Sequence, residues 1–159
     1  MDPVKAWTSI PRQIRRAVSG LSARELGWRG GSENWTIREY AHHLVEANIV
    51  ASSIIVAALG SPGARYDWSW LYPDERWMKR LGYNRAPLKP AIGLLDALCA
   101  HVAGILRRAP GGMSRHARLI STPRRGQRRT VRQILADESD HARHHLRDIA
   151  KAKSANRRR

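Results

Sequence analysis

Four stretches of this chain carry apolar residues at the spacing of one helical face, and this pattern constrains the fold more than any other feature. They cover residues 4–21, 36–60, 90–106 and 130–150. Glycine- and proline-rich breaks separate them, and none shows the strict alternation that is typical of a half-buried strand. Because an amphipathic helix must bury its apolar face against another element, the pattern predicts an all-α four-helix bundle.

Local sequence also predicts where these helices begin and end. Thr36 and Glu39 have the spacing of a capping box, and so do Thr130 and Gln133. The glycines and proline of residues 60–63 end the second helix. In the first stretch, Pro11 predicts either a kink or the true helix start, because proline lacks an N–H and is tolerated only in the first turn.

Two long connections join the helices. The first, residues 61–88, holds six of the chain's ten aromatic residues: Tyr66, Trp68, Trp70, Tyr72, Trp77 and Tyr83. A connection of this length either carries function, for instance as a lid, or packs as a cap on one end of the bundle. The second, residues 109–129, is basic and glycine-rich.

Length and cysteine count indicate one domain in a reducing compartment. A chain of 159 residues fits a single domain, which we place at residues 1–154, followed by a basic disordered tail at 155–159. The single cysteine, Cys99, cannot form an intramolecular disulfide, and its helical setting favours a buried thiol. We see no signal peptide, and the most apolar stretch, 49–59, is too short to span a bilayer. We therefore expect a cytoplasmic protein without a membrane partner.

The formal net charge of +16 permits two interpretations. Arginine supplies 24 of the 29 basic residues, and residues 97–136 contain no acidic residue. Such a surface can bind nucleic acid weakly and without sequence preference. It can also be a solvated basic surface with no partner. No helix-turn-helix, zinc-finger or RNA-recognition motif accompanies the charge, so we do not expect specific nucleic-acid recognition.

The fourth helix holds polar residues where its apolar stripe predicts aliphatic ones. The stripe begins with Val131 and Ile134 and continues through Glu138, His141 and His145. The two histidines are spaced i, i+4 and therefore project from one face. Because burying polar groups is costly unless they are paired or bind a metal, the stripe predicts a polar site inside the bundle.

The second helix offers a third imidazole. His43 lies one turn after Glu39 and close to Glu46, and imidazole is a common ligand of zinc, nickel and iron. Spacing alone leaves the helix phase open by one residue, in which case His42 and His144 would face inward instead. Histidines on helices are also often ordinary surface or core residues.

Two motifs give the chain a resemblance to the DinB/YfiT-like family of bacterial four-helix bundles. Residues 35–44 read WTIREYAHHL, which fits the family's pattern of Trp, Ser or Thr, aliphatic, any residue, acid, three residues, His and aliphatic. This match selects His43 over His42. The family's second motif, His-x-x-x-His and an aliphatic, matches His141, His145 and the leucine that follows.

The resemblance covers residues 10–150 in outline, including the aromatic stretch 66–83, and it carries expectations about fold and site. It implies an up-down-down-up bundle with a long aromatic-rich connection between helices 2 and 3, and frequent homodimers. It implies a metal centre formed by His43, His141 and His145, with water in the open positions. Zinc or nickel is the first expectation, with iron or manganese as alternatives. Characterised members include thiol transferases that use bacillithiol and isomerases that use mycothiol, although this chain is more basic than the family pattern.

These observations lead to two hypotheses about function. The first is a metal-dependent enzyme that transfers a low-molecular-weight thiol to an electrophile or hydrolyses a small-molecule substrate. Glu46 and Glu138 are its candidate catalytic groups, and nearby arginines could hold an anionic thiol. The alternative is a non-catalytic bundle that binds metal or a polyanion. A ferritin-like di-iron site is disfavoured, because Glu138 and His141 supply one Glu-x-x-His motif where that site needs two, and the third helix offers only Asp96.

Overall fold

Six α-helices form most of the computed structural model, which describes residues 2–71, 74–122 and 125–157. In chain order the helices are α1 (Pro3–Thr8), α2 (Ile10–Val18), α3 (Ile37–Gly60), α4 (Asp74–Arg80), α5 (Leu88–Arg107) and α6 (Val131–Arg157). The strands are β1 (Arg29–Gly30), β2 (Trp35–Thr36), β3 (Arg65–Asp67), β4 (His116–Thr122) and β5 (Arg125–Thr130). The N-terminal pair α1 and α2 packs on α5 and α6, and α3 packs against both of these long helices.

The first predicted helix is divided in two. α1 ends at Thr8 and α2 begins at Ile10, with Pro11 in its first turn and Ser9 between the helices. Pro11 therefore lies at a helix start, which is one of the two alternatives that the sequence left open. Trp7 and Ile14 from this pair are completely buried in the main core.

The capping boxes lie where the sequence predicts them. The Thr36 hydroxyl accepts a hydrogen bond from the Glu39 amide, and the Glu39 carboxylate accepts one from the Thr36 amide. Thr130 and Gln133 make the same reciprocal pair in front of α6. α5 begins at Leu88, two residues earlier than predicted. Fixing the starts of α3 and α6 also fixes which side chains each helix turns toward the core.

The prediction of an all-α fold is wrong in detail, because two small sheets are present. β1 and β2 form an antiparallel pair before α3, and β3, β4 and β5 form a three-stranded sheet in which β3 is parallel to β4. Residues 61–88 thus contain a strand and the short helix α4, and residues 109–129 form much of a hairpin. Ala117 and Leu119 of β4 face the core and are buried.

Part of the predicted C-terminal tail is helical. α6 continues to Arg157, and the Asn156 side chain donates a hydrogen bond to the carbonyl of Arg29. Residues 155–157 are therefore helical rather than disordered, and residues 158–159 lie outside the described part of the chain. Cys99 is buried as predicted, and burial raises the pKa of its thiol.

Two helices, α3 and α5, are long and apolar enough to cross a membrane by length and composition alone. The apolar stretch 49–59 is part of the 24-residue helix α3, which contains a longer apolar window. Most of its apolar window is buried inside the fold, and Leu44 and Ile55 are completely enclosed by other core residues. The apolar character of α3 is thus accounted for by its place in the core.

Candidate metal centre

Three histidine side chains meet between α3 and α6. His43 projects from α3, two turns after the N-cap residue Thr36, and His141 and His145 project from α6 one turn apart. One ring nitrogen from each lies within 4.8 Å of the others, and the Nε2 atoms of His43 and His141 are 3.0 Å apart. Two imidazole nitrogens bound at about 2.0–2.1 Å to one tetrahedral zinc ion lie about 3.3 Å apart. The His43–His141 pair is therefore close to the spacing of two ligands on one ion, with the nitrogen of His145 within 4.8 Å of both.

A carboxylate lies beside the Nδ1 atom of each of these histidines. Glu138 Oε2 is 3.4 Å from Nδ1 of His141, and Asp148 Oδ2 is 3.4 Å from Nδ1 of His145. Asp74 Oδ2 is 4.0 Å from Nδ1 of His43. Metal-ligating histidines commonly present their second nitrogen to a carboxylate, which fixes the tautomer and the ring orientation. The arrangement is therefore typical of a metal centre.

Asp148 is held firmly from the other side. It is fully buried, and both of its oxygens accept hydrogen bonds from Ser32, one from the amide at 3.2 Å and one from the hydroxyl at 2.9 Å. Burial acts to raise the pKa of Asp148, but the hydrogen bonds from Ser32, together with the nearby His144 and Lys151, outweigh it, so the pKa is lowered and the carboxylate is ionised. Gly31 makes this approach possible, because a Cβ atom there would lie 2.5 Å from Asp148 Cβ and 2.6 Å from the hydroxyl of Tyr40.

His43 and His145 are held in the neutral form. Burial is the main cause that lowers the pKa of His43 to about 3, and the neighbouring His141 and His145 contribute to the lowering. Burial is also the main cause that lowers the pKa of His145 to about 4, and His141 and His144 contribute to the lowering. The Trp35 ring contributes to this burial, with its centroid 5.0 Å from that of His43 and 5.7 Å from that of His145. Neutral imidazoles keep the lone pairs that a metal needs.

Two cavities meet at the histidines. The first, of about 240 Å³, runs along α3 under the aromatic connection, and its apolar lining includes Trp68, Trp77 and Leu119. The second, of about 400 Å³, is more open and borders Trp35 and all three histidines. His43 and His141 line both cavities. A bound ion would thus be accessible from both, with an apolar chamber on one side.

The surroundings of the histidines are acidic, although the chain as a whole is strongly basic. The lining carboxylates of the two cavities are Glu33, Glu46, Asp74, Glu75, Asp137 and Glu138. No lysine or arginine lines either cavity within residues 2–71, 74–122 and 125–157. Arg129 approaches Asp137 at 3.6 Å from outside the lining. The expectation that nearby arginines hold an anionic thiol therefore has no support in the described lining.

The two glutamates predicted as catalytic candidates both line the apolar cavity, but in different settings. Glu138 is close to His141 Nδ1, where it can orient the ring. Glu46 Oε1 accepts a hydrogen bond from the Tyr83 hydroxyl. Burial is the main cause that raises the pKa of Tyr83, and the hydrogen bond to Glu46 raises it further. The phenol therefore stays protonated and donates this hydrogen bond. Tyr83 belongs to the aromatic connection, which therefore contacts the site directly.

The helix phase separates the three central histidines from their neighbours. His42 points away from the cluster, where it stacks on Tyr83 with ring centroids 4.5 Å apart and its Nε2 lies 3.2 Å from the carbonyl of Ala86. His144 is half-exposed, and its Nε2 lies 3.3 Å from Asp148 Oδ2. His144, His145 and Asp148 form a second, more exposed group with ligand atoms within 4.8 Å.

Sequence reasoning missed two residues of the site. Asp148 follows His145 by three residues on α6 and faces the same side, so its spacing could have revealed it. Asp74 begins α4, far from any motif, and reaches His43 only because the aromatic connection folds back over α3. Burial raises the pKa of Asp74, so this carboxyl group holds a proton more readily than an exposed aspartate does.

Comparison with solved structures agrees with this architecture. The fold is similar to that of YfiT from Bacillus subtilis, described as "a probable metal-dependent hydrolase with an unusual four-helix bundle topology". The TM-score is 0.83 at 18% identity, over 96% of this chain and 85% of YfiT. It is also similar to a mycothiol-dependent maleylpyruvate isomerase, with a TM-score of 0.68 at 14% identity over 94% of this chain and 60% of the isomerase. At these identities the likeness shows a mostly helical four-helix bundle fold.

Sequence comparison identifies the family. Two curated relatives, from Geobacillus kaustophilus and Geobacillus thermodenitrificans, each carry the name "Putative metal-dependent hydrolase". Both are 27% identical to this chain, over 103 and 111 residues, which is 65% and 66% of the chain. The match spans only 56% and 60% of the relatives' own length. The family model of the DinB superfamily matches residues 6–149, nearly the whole chain. The chain therefore belongs to the DinB superfamily.

Proposed function

We propose that this protein is a metal-dependent enzyme whose divalent ion is held by His43, His141 and His145. The observation that carries the proposal is the cluster of three imidazole nitrogens, each ring backed by a carboxylate, at the junction of two cavities. Three neutral ligands leave the ion its full charge and an open position. Zinc or nickel suits the histidine set best, with iron or manganese as alternatives.

We propose hydrolysis of a small, uncharged substrate as the reaction. Such an ion, when bound, polarises a carbonyl or similar group and lowers the pKa of water. Trp68 and Trp77 bind the apolar body of the substrate and exclude bulk water. Glu46, held by Tyr83, accepts the proton that the attacking water loses. Protonated Glu46 then returns this proton to the leaving group, while Asp74 stays beside His43 and orients its ring.

A second candidate reaction is transfer of a low-molecular-weight thiol to an electrophile. It is favoured by the fold that this chain shares with a mycothiol-dependent maleylpyruvate isomerase. It requires a site for the thiol cofactor, and the described lining offers acidic side chains rather than cations. A thiol that carries carboxylates would be repelled there, so hydrolysis ranks first.

Turnover measured on metal-loaded, chelated and reloaded protein tests these two reactions. We expect protein loaded with zinc or nickel to hydrolyse small neutral esters or amides, the chelated protein to be inactive, and re-addition of metal to restore turnover. Glu46→Gln should lower turnover while leaving metal content unchanged. Glu25→Gln should have no effect, because Glu25 begins the 3-10 turn Glu25–Gly27 and lines neither cavity. Metal-dependent consumption of bacillithiol or mycothiol without hydrolysis would select thiol transfer. Loaded protein that turns over neither class would favour the non-catalytic alternative.

The contact between Asp148 and His145 leads to a sharp prediction about metal affinity. Asp148→Asn removes the charge beside Nδ1 of His145 but keeps the shape, so the ring loses its electrostatic orientation. Changes of this kind typically weaken metal binding by about 10–100-fold. Competitive titration with a chromophoric chelator measures the effect. Asp140→Asn is the matched control, because Asp140 lies on the same helix, is exposed, and pairs with Arg143 on the surface. Equal affinity in both variants would contradict the role of Asp148.

We further propose a cytoplasmic homodimer of a single-domain chain with the up-down-down-up topology that the family resemblance implies. The exposed apolar side chains of Val56, Trp70, Leu81 and Leu94 offer surface for self-association. Light scattering of the purified protein measures its mass. A mass of one chain at micromolar concentration would rule out the dimer.

A further inference from the structure

Three arginines stand side by side across the three-stranded sheet. Arg65 on β3 is the register partner of Arg118 on β4, and Arg118 is the register partner of Arg128 on β5. Partners in register point to the same face of a sheet. Ala117 and Leu119, on either side of Arg118, are buried against the core, whereas all three arginines are exposed. The arginine row (Arg65, Arg118 and Arg128) therefore lies on the outer face.

The row has no ion-pair partner among the described residues. None of its three side chains forms an ion pair with any carboxylate in the part of the chain that the structure describes. Asp67, two residues after Arg65, is instead hydrogen-bonded to the amide of Ser69. The nearest polar contact of Arg128 is the ring of His116, with Nη2 3.4 Å from Nδ1. Like charges directly opposite each other destabilise a sheet, and no ion pair within the described residues offsets this repulsion.

The backbone makes room for the central member of the row. Gly126 lies on β5 beneath the Arg118 side chain, and a Cβ atom at this position would lie 2.7 Å from Arg118 Cγ and 2.8 Å from Cδ. The aliphatic part of Arg118 is therefore laid flat against the strand. Any larger residue at 126 would force it away. The arginine is thus supported by the sheet surface instead of extending freely into solvent.

We propose that the arginine row binds the phosphodiester backbone of nucleic acid without reading its bases. Adjacent strands lie about 4.8 Å apart, so three arginines span about 10 Å and can contact neighbouring phosphates of one strand. Guanidinium groups bind phosphate oxygens through paired N–H donors. The surrounding charge supports this partner, because the chain has a net charge of +16. The opposite face of β4 supplies Leu119 to the apolar cavity, so the two faces of this strand serve different ligands.

Fluorescence anisotropy with a labelled duplex of mixed sequence tests the proposal. The test variant is Arg65→Gln, Arg118→Gln and Arg128→Gln combined. The control combines Arg12→Gln, Arg16→Gln and Arg147→Gln, which are exposed on α2 and α6 and change the net charge by the same amount. Binding is measured over a range of salt concentrations, and circular dichroism checks that both variants are folded.

We expect the test variant to bind about 10-fold or more weakly at moderate salt. Its slope of log affinity against log salt should be shallower by about 2.7, which is three phosphate contacts at about 0.9 each. The control should keep most of the affinity and the slope. Equal losses in both variants would overturn the proposal in favour of diffuse charge. Vesicles of acidic lipid that bind through the row when duplex does not would overturn it in favour of a membrane surface.

Discussion

Replacing His141 with alanine is expected to abolish stoichiometric metal in the purified protein. His141 supplies the nitrogen nearest to that of His43, at 3.0 Å, and two histidines cannot hold an ion that three hold well. We expect affinity for zinc to fall by more than about 100-fold, beyond the range seen when only a residue behind a ligand is changed. Elemental analysis after dialysis against a weak chelator measures the metal content.

The matched control for this variant is His101→Ala. His101 is exposed on α5, a helix that contributes no histidine to the cluster. Its loss removes an imidazole from the protein without touching the site, so the metal content should stay at one ion per chain. If His141→Ala retained a full equivalent of metal, the ion would be bound elsewhere. Equal losses in both variants would indicate adventitious binding by surface histidines.

Replacing Trp7 with alanine is expected to produce the largest loss of stability. Trp7 is fully buried in the main core, and its indole N–H donates a 2.7 Å hydrogen bond to the buried Asn48 side chain. The substitution leaves a cavity, which costs about 3–5 kcal/mol, and removes the partner of a buried amide oxygen, which costs about 1–3 kcal/mol more. Because domains are stable by only about 5–15 kcal/mol, the variant should be close to unfolding. Urea titration measures the change.

Trp70→Ala is the control for that experiment. Trp70 is 55% exposed, so the same chemical change there should alter the free energy of unfolding by less than about 1 kcal/mol. The melting temperature of Trp7→Ala should fall by about 10 °C or more. A loss at Trp7 no larger than that at Trp70 would mean that the N-terminal helices are not part of the main core.

The parts of the fold that could be predicted are those that depend on near neighbours in sequence. The capping boxes at Thr36 and Thr130 connect residues three apart, so their hydrogen bonds could be predicted before any tertiary contact was known. The division of the first helix at Pro11 is equally local. The three-stranded sheet is not local, because β3 pairs with a strand more than forty residues away. Short strands of mixed composition carry little periodicity, so only tertiary packing determines them.

The site, like the fold, has one part that local sequence predicts and another that depends on tertiary packing. Helical spacing and the family motif selected His43, His141 and His145, and the structure brings their ring nitrogens together. Asp74 could not have been predicted, because it reaches the site through the folding of a connection with no regular pattern. The acidic character of the site could not be predicted either. Composition gives the sum of +16 but not its distribution, and the cavities are lined by carboxylates while the arginines lie outside.

Diffraction from crystals of the metal-loaded protein, recorded at the absorption edge of the metal, tests the central claim most directly. We predict one strong anomalous peak per chain, about 2.0–2.1 Å from a ring nitrogen of each of His43, His141 and His145. A peak among His144, His145 and Asp148 instead, or no peak at the three histidines in protein shown to be loaded, would contradict the proposed metal centre.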